Sequence, residues 1–500
     1  MNNIIVISQN VKLESLSKLK EDIIPNSETL IVSTQLIFEN EAELIDKILE
    51  CKCKYINFSD LISDAEEEKC DYDAFNPSKQ GQDVFAYYED IKILKNQRIV
   101  SYISQQYSAI RKFIVCDDLG IHLPTWIEAG YNKIECEYYH SPNIKIEVPK
   151  RKGLIGFLLI IKRNTYNKVR SKVRTMFPQS VYVAFENGQK YIFEGVLNRI
   201  GYRLNLEFKQ AGIVERFRCW LDNKGYNTQP NTIRLSTLHG GYHAILDRRD
   251  MNVKLLQDGY LPPNYTSRYL YFFGLNTEFY TWDVLGNMTF EYHHLPHRII
   301  PFRKKLYLPQ PIFPIKVKKV LCVASGAGDW TAIKNRSDED KMIQVFGKVA
   351  KQFPDIQFVY RCHPVWIHPL HQGVNSINRV ADYISWLNLP NLSISSNIPT
   401  DGDRCIAFKR SSFEEDLKDV DIVFGEHSIG MIDAAFKNIL FASVNVTGHR
   451  NFWCGISDLG FPHCESEKEI ANLLTHIADK TFVDSYSNAI YNYNKMTDIE

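Results

Sequence analysis

Short, uninterrupted apolar runs recur along this chain, separated by longer stretches in which apolar residues return every three or four positions. Consecutive apolar positions mark strands buried on both faces of a parallel sheet, and the three-to-four spacing marks amphipathic helices. In the first third this reading predicts strands at 4–7, 29–32, 55–58 and 113–116, with helices over 41–51 and 90–107. Beyond residue 315 the alternation is more regular. Strands are expected at 319–324, 356–360, 391–395, 422–424 and 440–444, and helices at 338–352, 376–387, 412–417, 431–436 and 467–478. Strands alternating with helices imply an α/β fold with parallel sheets.

Residues 150–300 are less regular, rich in aromatics and arginine, and are expected to complete the first domain with further strands such as 268–273. Pro309, Pro311 and Pro314 then fall within six residues and cannot continue a helix or a central strand, which makes this stretch the best linker in the chain. The expected organisation is a domain over 1–307, a second over 315–480 and a tyrosine-rich tail over 481–500. At 500 residues the chain is too long for one ordinary core, and 44% hydrophobic with 24% charged residues is the balance of a folded protein. Two Rossmann-type domains joined by a proline linker and facing a cleft resemble the GT-B glycosyltransferases. That resemblance implies an amino-terminal acceptor domain and a carboxyl-terminal nucleotide-sugar domain.

Three of the carboxyl-terminal strands run into turns that carry chemistry. The first ends in Ser325-Gly326-Ala327-Gly328-Asp329-Trp330, whose glycines permit a tight turn and close approach of a ligand. Asp329 there is a candidate base, nucleophile or sugar-hydroxyl acceptor, with a helix-capping aspartate as the plain alternative. The second ends in Arg361-Cys362-His363-Pro364, where a guanidinium and an imidazole suit the phosphate of a leaving nucleotide. The third ends in Gly425-Glu426-His427-Ser428 and leads into a helix. Ser428 and the first N–H groups of that helix make a phosphate cradle, Glu426 is a ribose-hydroxyl acceptor, and a purely capping serine is the competing reading. Ligands of open parallel sheets bind at the carboxyl ends of strands, so these turns are expected around one nucleotide. In the amino-terminal half, Asp117-Asp118-Leu119-Gly120 follows a strand in the same way, and Asp118 is the candidate acid or base toward an acceptor hydroxyl.

The His-Pro motif followed by a serine-bearing turn resembles the CMP-sugar-dependent bacterial transferases. The Ser-Gly-Ala-Gly-Asp-Trp turn one strand-helix-strand unit earlier is most similar to the retaining β-Kdo transferases of capsule and lipopolysaccharide synthesis. The resemblance covers mainly residues 315–465 and implies Asp329 as a nucleophile forming a sugar adduct and His363 as a phosphate contact. It further implies transfer of a 2-keto acid sugar, Kdo or sialic acid, from CMP to a bacterial surface glycan or lipid-linked glycan. Bacterial sialyltransferases carry an acidic-acidic-Gly motif, from which Asp117-Asp118-Leu119-Gly120 departs by an extra leucine. Two other readings stand beside this one: a CDP-glycerol or CDP-ribitol phosphotransferase, and a non-catalytic glycan-binding partner.

The remaining features narrow the setting. Fifty-nine basic and 59 acidic residues give a formal net charge of zero, so no nucleic-acid partner is expected. No cofactor or metal is expected either. His363, His368 and His371 lack a matching carboxylate or cysteine, and the Asp-x-Asp pairs at 71–73 and 401–403 do not directly follow apolar strands. The 11 cysteines show no CxxC spacing and read as reduced, mostly buried thiols of a cytoplasmic protein. The longest apolar segment, 154–161, is too short to cross a bilayer. Its basic flanks across 150–174 suit peripheral contact at the inner face of the cytoplasmic membrane, with a core element bearing solvated flanks as the alternative.

Overall fold

The computed structural model describes residues 3–7, 28–33, 36–50, 53–57, 60, 101, 103, 105–106, 112–116, 135–139, 182–183, 233–237, 252–256, 277–281, 284–292, 297–299, 305–308, 316–324, 333–363, 374–396, 408–426, 428–446 and 454–497. In the amino-terminal part these are strands β1 (Asn3–Ile7) and β2 (Thr29–Ser33), helix α1 (Glu39–Leu49), and strands β3 (Lys54–Asn57), β4 (Lys112–Cys116) and β5 (Glu135–Tyr139). All pair in parallel, in the order β3-β2-β1-β4-β5. β2 is buried at every position, as its unbroken apolar run implies. At the start of α1 the Glu41 side chain accepts the Phe38 N–H at 2.8 Å, satisfying one backbone donor at the helix end.

The middle part supplies β6 (Tyr182–Val183), β7 (Ile233–Thr237), β8 (Asn252–Leu256), β9 (Thr277–Thr281), α2 (Val284–Tyr292) and β10 (His297–Ile299). These strands form their own parallel sheet in the order β10-β9-β8-β7-β6. Among the described residues no middle strand is paired with β1–β5. Alternation announces strands but does not say which sheet they join. The strand expected at 268–273 lies outside the described residues, as do the three linker prolines and residues 150–174.

The carboxyl-terminal part runs β11 (Lys319–Val323), α3 (Ile333–Gln352), β12 (Gln357–Arg361), α4 (Val374–Leu387), β13 (Leu392–Ser396), β14 (Phe408–Arg410), α5 (Phe413–Asp416), β15 (Ile422–Gly425), α6 (Ile429–Ala435), β16 (Leu440–Val444), α7 (Cys454–Asp458), β17 (His463–Cys464), α8 (Glu467–His476) and α9 (Lys480–Thr497). Its seven strands lie in the parallel order β14-β13-β12-β11-β15-β16-β17. β11, β15 and β16 are buried almost throughout, with Phe424 and Leu440 fully inaccessible. The segment expected to be a tail is instead the 18-residue α9, which buries Tyr486, Ala489, Ile490 and Tyr493. Those positions follow the i, i+3, i+4, i+7 spacing of one helical face. The Tyr486 hydroxyl accepts the Phe441 N–H at 3.1 Å, tying α9 to β16.

The chain divides into two compact units. One unit comprises residues 1–76, 87–143 and 305–499, so the first and last sheets share it; the other comprises 77–86, 144–304 and residue 500. The fold is α/β, with sheets of Rossmann type at both ends of the chain. In each of these the strand order reverses once, between β1 and β4 and again between β11 and β15. Among the described residues the middle sheet winds in one direction only and has no such switch point.

Candidate functional site

Topology singles out the β11/β15 switch point. In an open parallel sheet the connections on either side of a reversal run to opposite faces, which leaves a crevice beyond the carboxyl ends of the two strands. Register aligns the carboxyl ends of the three strands that precede the candidate motifs. Val323 lies opposite Arg361 of β12 on one side and Gly425 of β15 on the other, and Gly425 lies opposite Ser443 of β16. With strands about 4.8 Å apart, the ends of β12 and β15 straddle the end of β11 at a separation of about 10 Å.

Of the expected site residues, Arg361, His363, Glu426 and Ser428 are described, whereas Ser325, Gly326, Gly328, Asp329, His427 and Asp118 lie outside the described residues. Residues 325–330 follow Ala324 at the end of β11, and residues 117–120 follow β4 at the other switch point.

Gly425 is required where it stands. A Cβ there would come within 2.8 Å of Val323 Cγ2 and 3.0 Å of Met431 Cγ and Sδ, so β11, β15 and α6 close together only around a glycine. Glu426 follows at 2% exposure. Ser428 is half-buried and caps α6, its hydroxyl oxygen accepting the Gly430 N–H at 3.3 Å. The cap engages a lone pair of Ser428 and leaves its O–H proton as a donor.

Arg361 turns into the protein. Its NH1 donates to Asp416 Oδ2 and to the Ser411 carbonyl at 3.2 Å, and its guanidinium lies 5.6 Å from the centre of the Phe413 ring. Asp416, 1% exposed, also accepts from Ser395 Oγ at 2.7 Å and from Ser411 Oγ. This network stitches together the carboxyl ends of β12 and β13 and the residues after β14. The contact with Asp416 occupies NH1 and fixes the orientation of the Arg361 guanidinium. His363, two residues on, is half-buried and follows the carboxyl end of β12. Asp416, Ser395 and Ser411 carry no spacing signal, because three separate segments assemble them.

The described part of the site thus offers an imidazole, a carboxylate and a hydroxyl along one sheet edge. Among the described residues no cluster of three or more His, Cys, Asp or Glu side chains could hold a metal ion, and no helix is long and apolar enough to cross a membrane.

No family model and no curated protein matches the chain. Among solved structures, a UDP-GlcNAc 2-epimerase from Neisseria meningitidis bound to UDP-GlcNAc is 10% identical, spans 100% of this chain and 95% of its own, and superimposes with a TM-score of 0.22. The Streptomyces sp. SF2575 glycosyltransferase SsfS6 complexed with thymidine diphosphate gives 8% identity, 100% and 98% coverage and a TM-score of 0.29. TarM gives 8% identity, 99% and 97% coverage and a TM-score of 0.33. Likenesses this distant transfer neither a ligand nor a residue's role to this chain.

Proposed function

We propose that the chain is a GT-B-type glycosyltransferase that binds a nucleotide sugar at the β11/β15 switch point and an acceptor glycan at the β1/β4 switch point. One observation supports the reading: both Rossmann-type sheets have a switch point among the described residues, and in the sequence a chemistry-bearing motif follows a strand at each one. In this reading the donor's phosphate lies between His363 and Ser428, with Glu426 toward the ribose. Arg361 holds the β12 edge in place beneath His363. Asp329, in the glycine turn after β11, is the group that meets the sugar, and Asp118 faces the acceptor hydroxyl.

The donor we favour is a CMP-activated 2-keto acid sugar, with Kdo as the first candidate. Its leaving group is a nucleoside monophosphate that needs only hydrogen-bond donors and an imidazole, and its oxocarbenium-like transition state is met by a carboxylate. Attack by Asp329 on the anomeric carbon would expel CMP and form a glycosyl ester, which the acceptor oxygen then displaces with net retention. Incubation with CMP-Kdo followed by peptide mass spectrometry tests the step. The expected result is a Kdo adduct on the Asp329 peptide and an inactive Asp329→Ala variant. An unmodified peptide together with an active variant refutes it.

A further inference from the structure

Within the unit shared by the first and last sheets, one buried side chain gathers three segments. Arg379, near the start of α4, donates from Nε to Glu41 Oε1, from NH1 to Asp340 Oδ2 at 2.9 Å, and from NH2 to Glu41 Oε2 at 2.8 Å and to the Leu36 carbonyl. Asp340 of α3 accepts the Leu36 N–H at 3.1 Å, so both backbone groups of Leu36 are taken by the last sheet's helices. The guanidinium also stacks 4.0 Å from the centre of the Phe38 ring, which lies 4.4 Å from and nearly parallel to Tyr383 of α4. Gln344 of α3 adds a bond to Glu39 at 3.2 Å. Burial by itself lowers the pKa of Arg379, but Asp340 and Glu41 more than offset it and hold the group above its ordinary value. The joint therefore stays charged.

What the joint connects gives it meaning. Residues 36–41 follow β2, whose last residue, Ser33, lies opposite Ile7 at the end of β1, one side of the first switch point. α3 is the next helix in the chain after β11, which is one side of the second. Arg379 and Asp340 thus bind the segment beside one crevice to the helix leading away from the other.

We infer that this joint sets the spacing between the two switch-point edges, making Arg379 a positioning residue for transfer between them; the inference rests on the function proposed above. Arg379 bonds to Leu36, Glu41 and Asp340, and has no substrate contact in the function proposed above. Its loss should leave donor binding in place and impair the step that needs both edges.

The test compares wild type with Arg379→Met and Arg379→Lys, with Glu41→Gln as a milder break should the methionine variant fail to fold. Hydrogen exchange should rise together in peptides covering 36–41 and 333–345 while those covering β12 and β16 stay protected. CMP affinity should change by less than about threefold, and transfer from CMP-Kdo should fall on the order of 10–100-fold, as a small misplacement of reacting groups costs. Arg379→Lys, which keeps the charge but not the fork, should fall between. Exchange rising in only one of the two segments, wild-type transfer by a folded Arg379→Met or Glu41→Gln protein, or equal losses of CMP binding and transfer would overturn the inference. Should wild type bind no CMP and turn over no donor, the proposed function fails, while the exchange experiment still decides whether the joint couples the two segments.

Discussion

Replacing Gly425 by alanine adds one methyl at the tightest point of the β11/β15 switch. The new Cβ would sit 2.8 Å from Val323 Cγ2 and 3.0 Å from Met431 Cγ and Sδ. Met431 has three rotatable bonds and can yield, but Val323 is β-branched, fully packed in a central strand at 3% exposure, and stiff at χ1. The overlap has to be relieved by shifting β11 against β15, and overpacking of this kind costs about 1–3 kcal/mol. A thermal melt should register a fall of about 2–4 °C per kcal/mol for a domain of 150–250 residues. Nucleotide binding should weaken with it, because the strands that move carry the turns at 325–330 and 426–428. Shortening the obstructing side chain separates the clash from other effects. Gly425→Ala with Val323→Ala should be less destabilised than the sum of the single variants by about 0.5 kcal/mol or more, the coupling expected of residues in contact. Strictly additive effects, or a Gly425→Ala protein as stable as wild type, would refute the packing argument.

Other consequences are as specific. Asp416→Ala strips the buried Arg361 of its carboxylate and should cost about 3–5 kcal/mol by urea denaturation, more than removal of any surface charge. Tyr486→Phe leaves the Phe441 N–H without its 3.1 Å acceptor in a buried position and should cost about 1–3 kcal/mol in the same assay. Burial depresses the pKa of His463 below its ordinary value of 6.5, with Glu465 and Glu469 opposing in part. As pH falls through about 6.5 the unfolded chain takes the proton first, so the contribution of His463 to stability is intact above that pH and is lost toward the lower folded pKa. The melting temperature between pH 7.5 and 5.5 should therefore drop less steeply in His463→Gln than in wild type.

The sequence revealed the strands of the last sheet because each is a short, fully apolar run: β16 falls where the run 440–444 places it, and β11, β12, β13 and β15 within one or two residues. β14 and β17 have three and two residues, too few for any periodicity to register. α9 was written in the spacing of Tyr486, Ala489, Ile490 and Tyr493, but its tyrosines and asparagines gave it the composition of a tail. The separate middle sheet was beyond reach, since local pattern specifies strands and not their partners. Within the site, the turns following strands were visible as glycine, histidine and acidic residues at strand ends. The pairing of Arg361 with Asp416 and of Arg379 with Glu41 and Asp340 was not, because the partners are 55, 338 and 39 positions apart.

The central claim is that a nucleotide binds at the β11/β15 switch point, and a thermal-shift series with CMP, CDP, UDP, GDP and TDP, read beside hydrogen exchange, tests it most directly. A ligand that binds only the folded state adds about 2.7 kcal/mol at one hundred times its dissociation constant, so the preferred nucleotide stands out from the rest. The account predicts that CMP gives the largest shift and protects peptides spanning 323–330, 361–363 and 425–430. No shift from any of the five, or protection confined to the middle sheet, would contradict it.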